Sequence, residues 1–195
     1  PRIGGKHTGE FYKGVAPYQI PYGVIVPKKM RNLLVPVACS ASHVGFCALR
    51  LEPIWMSLGE TAGLAADSAL EENAGVQQVD VAALQRRIWS RGGATIHLSD
   101  VPSDHPDFTA VQWWGNLGGW HGIEPAPKKP GMRGKHITSQ YFEAFPGHAA
   151  RLDEPLDEEL IKHWSALVKK HGLRMPKTAT TRGDWIRKVF AARNE

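Results

Sequence analysis

The chain has 195 residues and a mass of 21.5 kDa, with 42% hydrophobic and 22% charged residues. That is the composition of an ordinary globular protein of one domain or slightly more, which excludes a disordered tail, a collagen-like chain and a disulfide-stapled miniprotein. Net charge is +5 with a pI of about 9.3. Residues 1–95 carry 10 Lys+Arg against 7 Asp+Glu, and residues 96–195 carry 14 against 12. This even division argues against a nucleic-acid stripe, which needs clustered cations. No window approaches the roughly 18 apolar residues of a transmembrane helix.

In chain order, residues 1–22 are rich in Gly, Pro and Tyr, and Pro17 and Pro21 favour extended backbone. Gly23–Pro27 (GVIVP) is a short strand candidate, Lys28–Arg31 a basic turn, and Asn32–Ala38 (NLLVPVA) a buried strand candidate demoted at its end by Pro36. Cys39 and Cys47 form no CxxC pair, so both are expected to be buried, inert thiols. Residues 40–50 (SASHVGFCALR) read as a small, partly polar loop. A helix of about eighteen residues begins near Glu52-Pro53, since Pro suits a first helical turn.

Along that helix Gly59, Ala62, Gly63 and Ala66 fall on one face of small side chains. Each glycine costs roughly 1 kcal/mol against Ala. Two explanations stand: close approach of another backbone or a flat ligand, or plain helix-on-sheet packing. Asp80 then caps a helix with apolar positions Val81, Leu84 and Ile88, stopped at Gly92 or Gly93, and Ala94–Leu98 is a further strand candidate.

From Asp100 onward the chain changes character and holds five of the seven Trp. Asp104-His105-Pro106 starts a helix through Phe108, Val111, Trp114 and Leu117, and residues 121–150 read as a long loop. Within it, Lys128–Lys135 (KKPGMRGK) is the densest basic stretch and reads as a solvated linker. Pro155–His171 is an amphipathic helix ended by Gly172. Thr181 with Asp184 forms a capping box, with Asp in place of Glu, that opens a last helix through Trp185, Ile186, Val189 and Phe190. The reading divides the chain at 1–95 and 96–195.

Tests for chemistry exclude more than they find. No His pair has ligand spacing, so no metal site is expected. There is no GxSxG elbow and no GxGxxG fingerprint, and Gly131–Ser139 lacks the spacing of a phosphate loop. His43 is the titratable group of interest. It is either a structural or surface histidine or, with Arg50 near a helix N-terminus, part of an anion site; Arg50 with Glu52 also reads as a plain ion pair.

Asn32–Ala66 (NLLVPVACSASHVGFCALRLEPIWMSLGETAGLAA) closely resembles the C-terminal signature of a family of bacterial FAD-dependent oxidoreductases: NLLVP or NLLVAG, then SASHVA, then IRMEPxxMxLGxxAGxAA. APYQIPYGVIVPK before it resembles the family's YxIPYRxLVPK, and the likeness runs over roughly residues 15–95. This chain has Gly23 where the family has Arg and Leu51 where it has Met. The family lies in the class of the fumarate reductase and succinate dehydrogenase flavoproteins.

The resemblance implies a mixed α/β fold, the closing part of a flavoprotein fold of the two-dinucleotide-binding type, with a mainly helical extension over 96–195. It implies FAD as cofactor, with Ser40, Ala41 and Ser42 in a loop near the flavin and Arg50, Leu51 and Glu52 near its pyrimidine edge. Gly59 and Gly63 are implied to pack against the dinucleotide-binding half. His43 is implied as a substrate-side catalytic residue. The implied reaction is hydride transfer between a substrate and flavin N5. The GxGxxG half is missing from this sequence, which begins with Pro1, so the expected partner is that half, in the same or a companion chain, and localisation cannot be read. The alternative is a non-catalytic remnant or interaction subunit that binds a partner through its Trp-rich tail.

Overall fold

The structure, a computed structural model, describes residues 18–121 and 149–194, together with the backbone of a two-residue ladder in which β1 (Arg2–Ile3) pairs antiparallel with β2 (Lys6–His7). The expected loop over 121–150, with its basic stretch and the segment 131–139, lies almost wholly outside the described residues, as does most of the opening segment.

Six helices build the described fold: α1 (His43–Leu49), α2 (Glu52–Glu71), α3 (Val81–Ser90), α4 (Phe108–Asn116), α5 (Glu158–Lys170) and α6 (Arg182–Ala191). The mixed α/β class expected from the sequence is therefore wrong. Beyond the two-residue ladder and one isolated bridge, Pro155–Thr181, no strand pairing occurs among the described residues. The GVIVP candidate instead contains a 3-10 turn over Tyr22–Ile25. Asn32–Ala38 stays irregular. Two separated backbone bonds run from these segments, Val35 N–H to the Ile25 carbonyl (2.8 Å) and Ser40 N–H to the Val24 carbonyl (2.7 Å). A strand exists only through a ladder, and Pro27 and Pro36 each remove a donor where one would run.

The third strand candidate fails for an instructive reason. Thr95 and Ile96 do have ladder-like partners, but a side chain supplies them. Gln112, buried on α4, accepts at Oε1 from Thr95 N–H (2.8 Å) and Ile96 N–H (2.9 Å) and donates from Nε2 to the Ile96 carbonyl (2.8 Å). The Thr95 hydroxyl donates to the same Oε1 and accepts from Trp89 Nε1 and Asn116 Nδ2. Every polar atom of the node is satisfied, as burial demands.

The helix termini follow their sequence signals. Asp80 accepts from Ala82 N–H (2.8 Å) and Asp157 from Leu160 N–H (2.7 Å). Thr181 accepts from Asp184 N–H (3.2 Å), while the Asp184 carboxylate reaches back to Thr180 N–H rather than to Thr181. Gly172, at φ +63, lets the chain turn so that Leu173 N–H closes α5 on the Val168 carbonyl. One sequence expectation shifts: residues 43–49 are helix, not loop, because Ser42 Oγ caps Gly45 N–H (3.0 Å).

The main core gathers α4, α5 and α6 around Trp164. Its ring lies 5.2 Å from Trp114, 5.9 Å from Trp120 and 6.0 Å from Trp185, and its Nε1 donates to the Gly119 carbonyl (2.8 Å). Gly119 is required there, because a Cβ would overlap the Trp114 ring. Two smaller clusters, around Ile25 and Leu58 and around Ala65 and Leu84, hold the 20–84 region on α2. Arg182 is buried at the start of α6, paired with Glu154 (3.2 Å). Burial first, and Arg151 second, push its guanidinium below the ordinary arginine range.

Gln112→Leu leaves two buried N–H groups without acceptors and is expected to destabilise the fold by at least about 2 kcal/mol, read as a fall in denaturation midpoint. Asp184 has a pKa below the ordinary carboxylate value, chiefly through its hydrogen bond from Lys188. A carboxylate depressed in the folded state stabilises at pH above its unfolded value, and that contribution is lost as pH falls through the folded value. Asp184→Asn is therefore expected to lower stability at neutral pH and to flatten the acid limb of a stability-against-pH curve.

Candidate functional site

Residues 40–52 form the connection around α1. Ser40, Ala41, Ser42 and His43 are all exposed at the N-terminal side of α1, and Arg50, Leu51 and Glu52 are exposed at its C-terminal side. His43 opens the seven-residue α1 and Arg50 follows it, about 10 Å of axial rise apart. His43 and Arg50 thus share a helix side two turns apart without touching. No hydrogen bond or ion pair holds the His43 ring, the Arg50 guanidinium or the Glu52 carboxylate among the described residues, so the plain Arg50–Glu52 ion pair is not made. Cys39 is buried as expected, but Cys47 is exposed, with its Sγ 3.5 Å from the His43 carbonyl oxygen. The thiol sits on the outer side of a short helix, where nothing among the described residues covers it.

Nothing among the described residues lies within 4 Å of a Cβ built at Gly59 or Gly63, so neither has a close packing neighbour there. The core side of α2 carries Leu58, Ala62, Ala65 and Ala69. An adjoining stripe, about a third of a turn around the helix, carries Met56 (74% exposed), Gly59, Gly63, Ala66 and Leu70 (82% exposed), spaced at helical intervals, while Glu60, Asp67 and Glu71 line the side farthest from the core. The apolar surface of α2 is therefore wider than its core contact. Leu33, Val37, Val44 and Leu51 add further exposed apolar side chains in the same sequence region. The sequence carried this signal in Met56 and Leu70, which fall on the same side of the helix as Gly59 and Gly63, although attention to the glycines alone missed them.

A cleft of about 800 Å³ lies between the 18–25 segment, α2, α3 and α4, walled by Tyr18, Tyr22, Ile54, Leu58, Trp89 and Trp113. None of the nine site residues expected from the sequence lines it. Its tyrosines are already engaged: Tyr18 donates to the Ala48 carbonyl and Tyr22 to the Val76 carbonyl, both at 2.8 Å, and burial raises both phenol pKa values. The Gln19 and Asn116 amides bond each other and Thr95. Among the described residues this cleft offers shape and apolar surface, and its one carboxylate, Glu60, is paired with Arg91. No cluster of His, Cys, Asp and Glu able to hold a metal occurs among the described residues.

With this geometry in place, comparison with known proteins finds one family: residues 3–88 match the family described as FAD dependent oxidoreductase. No curated protein and no solved structure matches the chain. FAD is the cofactor this family uses. Residues 40–52 present an open surface with no facing wall among the described residues, so they do not by themselves enclose a molecule of that size.

Gly63→Leu is expected to leave the isolated chain folded and to stabilise it slightly, by about 0.5–1 kcal/mol, because a helical glycine is replaced in open space. Thermal denaturation of the two forms measures it, and a marked loss of stability would mean that the face is covered within the chain.

Proposed function

Residues 3–88 match the FAD-dependent oxidoreductase family, and from that match we propose that this chain belongs to it and supplies one side of a flavin site completed by a dinucleotide-binding segment outside the residues described. The observation that carries this reading is the exposed apolar stripe of α2 beside its core face, with Gly59 and Gly63 open to close approach and Met56 and Leu70 facing water. Leu33 and Val37, in the segment that resembles a strand without forming one, support it: a partner sheet would give both their apolar side chains and their backbone groups a place.

Bound flavin supplies hydride chemistry, and the reaction proposed is hydride exchange between the flavin and a substrate. In this reading Ser40, Ala41, Ser42, Arg50, Leu51 and Glu52 form the surface turned toward the cofactor. The Arg50 guanidinium, paired with no carboxylate among the described residues, brings positive charge to it. His43, exposed at the start of α1, is the group proposed to face the substrate.

The Trp-rich tail does not favour the rival reading of an interaction module, since Trp114, Trp164 and Trp185 are spent in the core.

FAD titration, followed by flavin fluorescence, tests the proposal. The purified chain alone is expected to bind FAD weakly. Addition of a dinucleotide-binding segment from the same family is expected to produce tight binding that Gly63→Leu reduces at least tenfold. Tight binding by the chain alone, or wild-type retention by Gly63→Leu, would overturn the shared-site reading. His43→Ala is expected to leave bound flavin unchanged while slowing flavin reduction by substrate.

A further inference from the structure

The cleft between the 18–25 segment, α2, α3 and α4 is separate from the surface proposed to face flavin. At about 800 Å³ it falls within the roughly 300–1,000 Å³ of small-molecule sites. Ile25, Leu58, Leu84 and Trp89 line it although each is buried, so it reaches into the interior of the fold. Its walls come from both parts of the chain. One side is built by α2 and α3, the other by Trp113, Asn116 and Leu117 of α4.

Charge on these walls is already matched. Among the described residues the lining holds two charged side chains, and each has a partner: Glu60 with Arg91 (3.4 Å) and Arg86 with Asp80 (3.9 Å). An ionic occupant would find no unpaired counter-charge to offset the cost of leaving water. Most neutral polar groups are engaged as well. The Ser57 and Thr61 hydroxyls donate back along α2 to the Pro53 and Ser57 carbonyls. Tyr18, Tyr22 and Trp89 donate to Ala48, Val76 and Thr95, and the Gln19 and Asn116 amides bond each other. Two donors are left. The Gln85 carboxamide and the Trp113 indole N–H have no hydrogen-bond partner among the described residues, and both residues are half-buried on the cleft wall.

We propose that this cleft is a binding site for a small, flat, uncharged ring compound carrying an acceptor oxygen. The aromatic walls, Tyr18, Tyr22, Trp89 and Trp113, favour a ring system over a flexible chain. Gln85 and Trp113 each offer an N–H to a carbonyl oxygen, and the paired charges select against ions. A ligand held there touches both sides of the junction that Gln112 locks, so its binding also stabilises the docking of α4 on α2 and α3.

Fluorescence titration of the full chain, without flavin, tests this with Prodan, an uncharged naphthalene ketone whose emission shifts with polarity. Saturable one-to-one binding with blue-shifted emission is expected, together with a raised denaturation midpoint. Anilinonaphthalene sulfonate, similar in size but anionic, is expected to bind at least about tenfold more weakly. Ser57→Trp places an indole in the cleft from an exposed helical position and is expected to weaken Prodan binding at least about tenfold. Gln85→Leu keeps the volume but removes the amide donor, and is expected to weaken Prodan a few-fold and move its bound emission further to the blue. Far-ultraviolet circular dichroism identical to wild type shows that both variants fold. Absence of saturable binding, or sulfonate binding as tight as Prodan, overturns the proposal. So does Prodan binding untouched by Ser57→Trp, which would put the probe on the exposed stripe of α2 instead. Because flavin is absent from this experiment, its failure is distinct from failure of the FAD titration.

Discussion

The buried carboxamide of Gln112 is the interaction on which the arrangement of this chain depends. It sits on α4, within the C-terminal core, and grips the backbone at Thr95 and Ile96. Thr95 in turn receives Trp89 from α3 and Asn116 from α4, and the Gln19 amide reaches both Thr95 and Asn116 from the start of the described chain. The region that matches a flavoenzyme family and the helical region that follows are thereby locked by a satisfied polar node, not by apolar contact alone. Such a node specifies one docking geometry, because any slip leaves several buried donors and acceptors unpaired.

Much of the helical content was readable in the sequence where the signal is local. Asp80, Gly172 and the Thr181–Asp184 pair work through atoms within four residues, so spacing alone identifies them. Strand candidates failed because a strand is defined by a partner that may lie anywhere in the chain, or outside it. GVIVP and NLLVPVA carry strand composition without a ladder, and Ala94–Leu98 found its partner in one side chain of a helix more than ten residues away. Gln112 was invisible for the same reason: a polar residue in an amphipathic helix reads as surface until its contacts are known.

The candidate site was readable in part. Family motifs singled out residues 40–52, and the structure places them on one exposed connection, yet it separates His43 from Arg50 by the length of α1. The small face of α2 was legible as a packing signal. Its orientation was not, since helical periodicity marks two faces and does not say which one the same chain covers. Gly59 and Gly63 turn out to lie beside the core face, which makes the described chain most informative where it is bare.

Trp164 and its neighbours carry a practical consequence for anyone observing this protein by its own chromophores. Six of the seven tryptophans, all but Trp55, belong to or pack on the single C-terminal cluster. Rings held 5–6 Å apart couple their excited states, so near-ultraviolet circular dichroism reports overwhelmingly on that cluster. Loosening of α1 and the exposed face of α2 would pass almost unseen in such a signal, and an optical melt of this chain is in effect a melt of its C-terminal half.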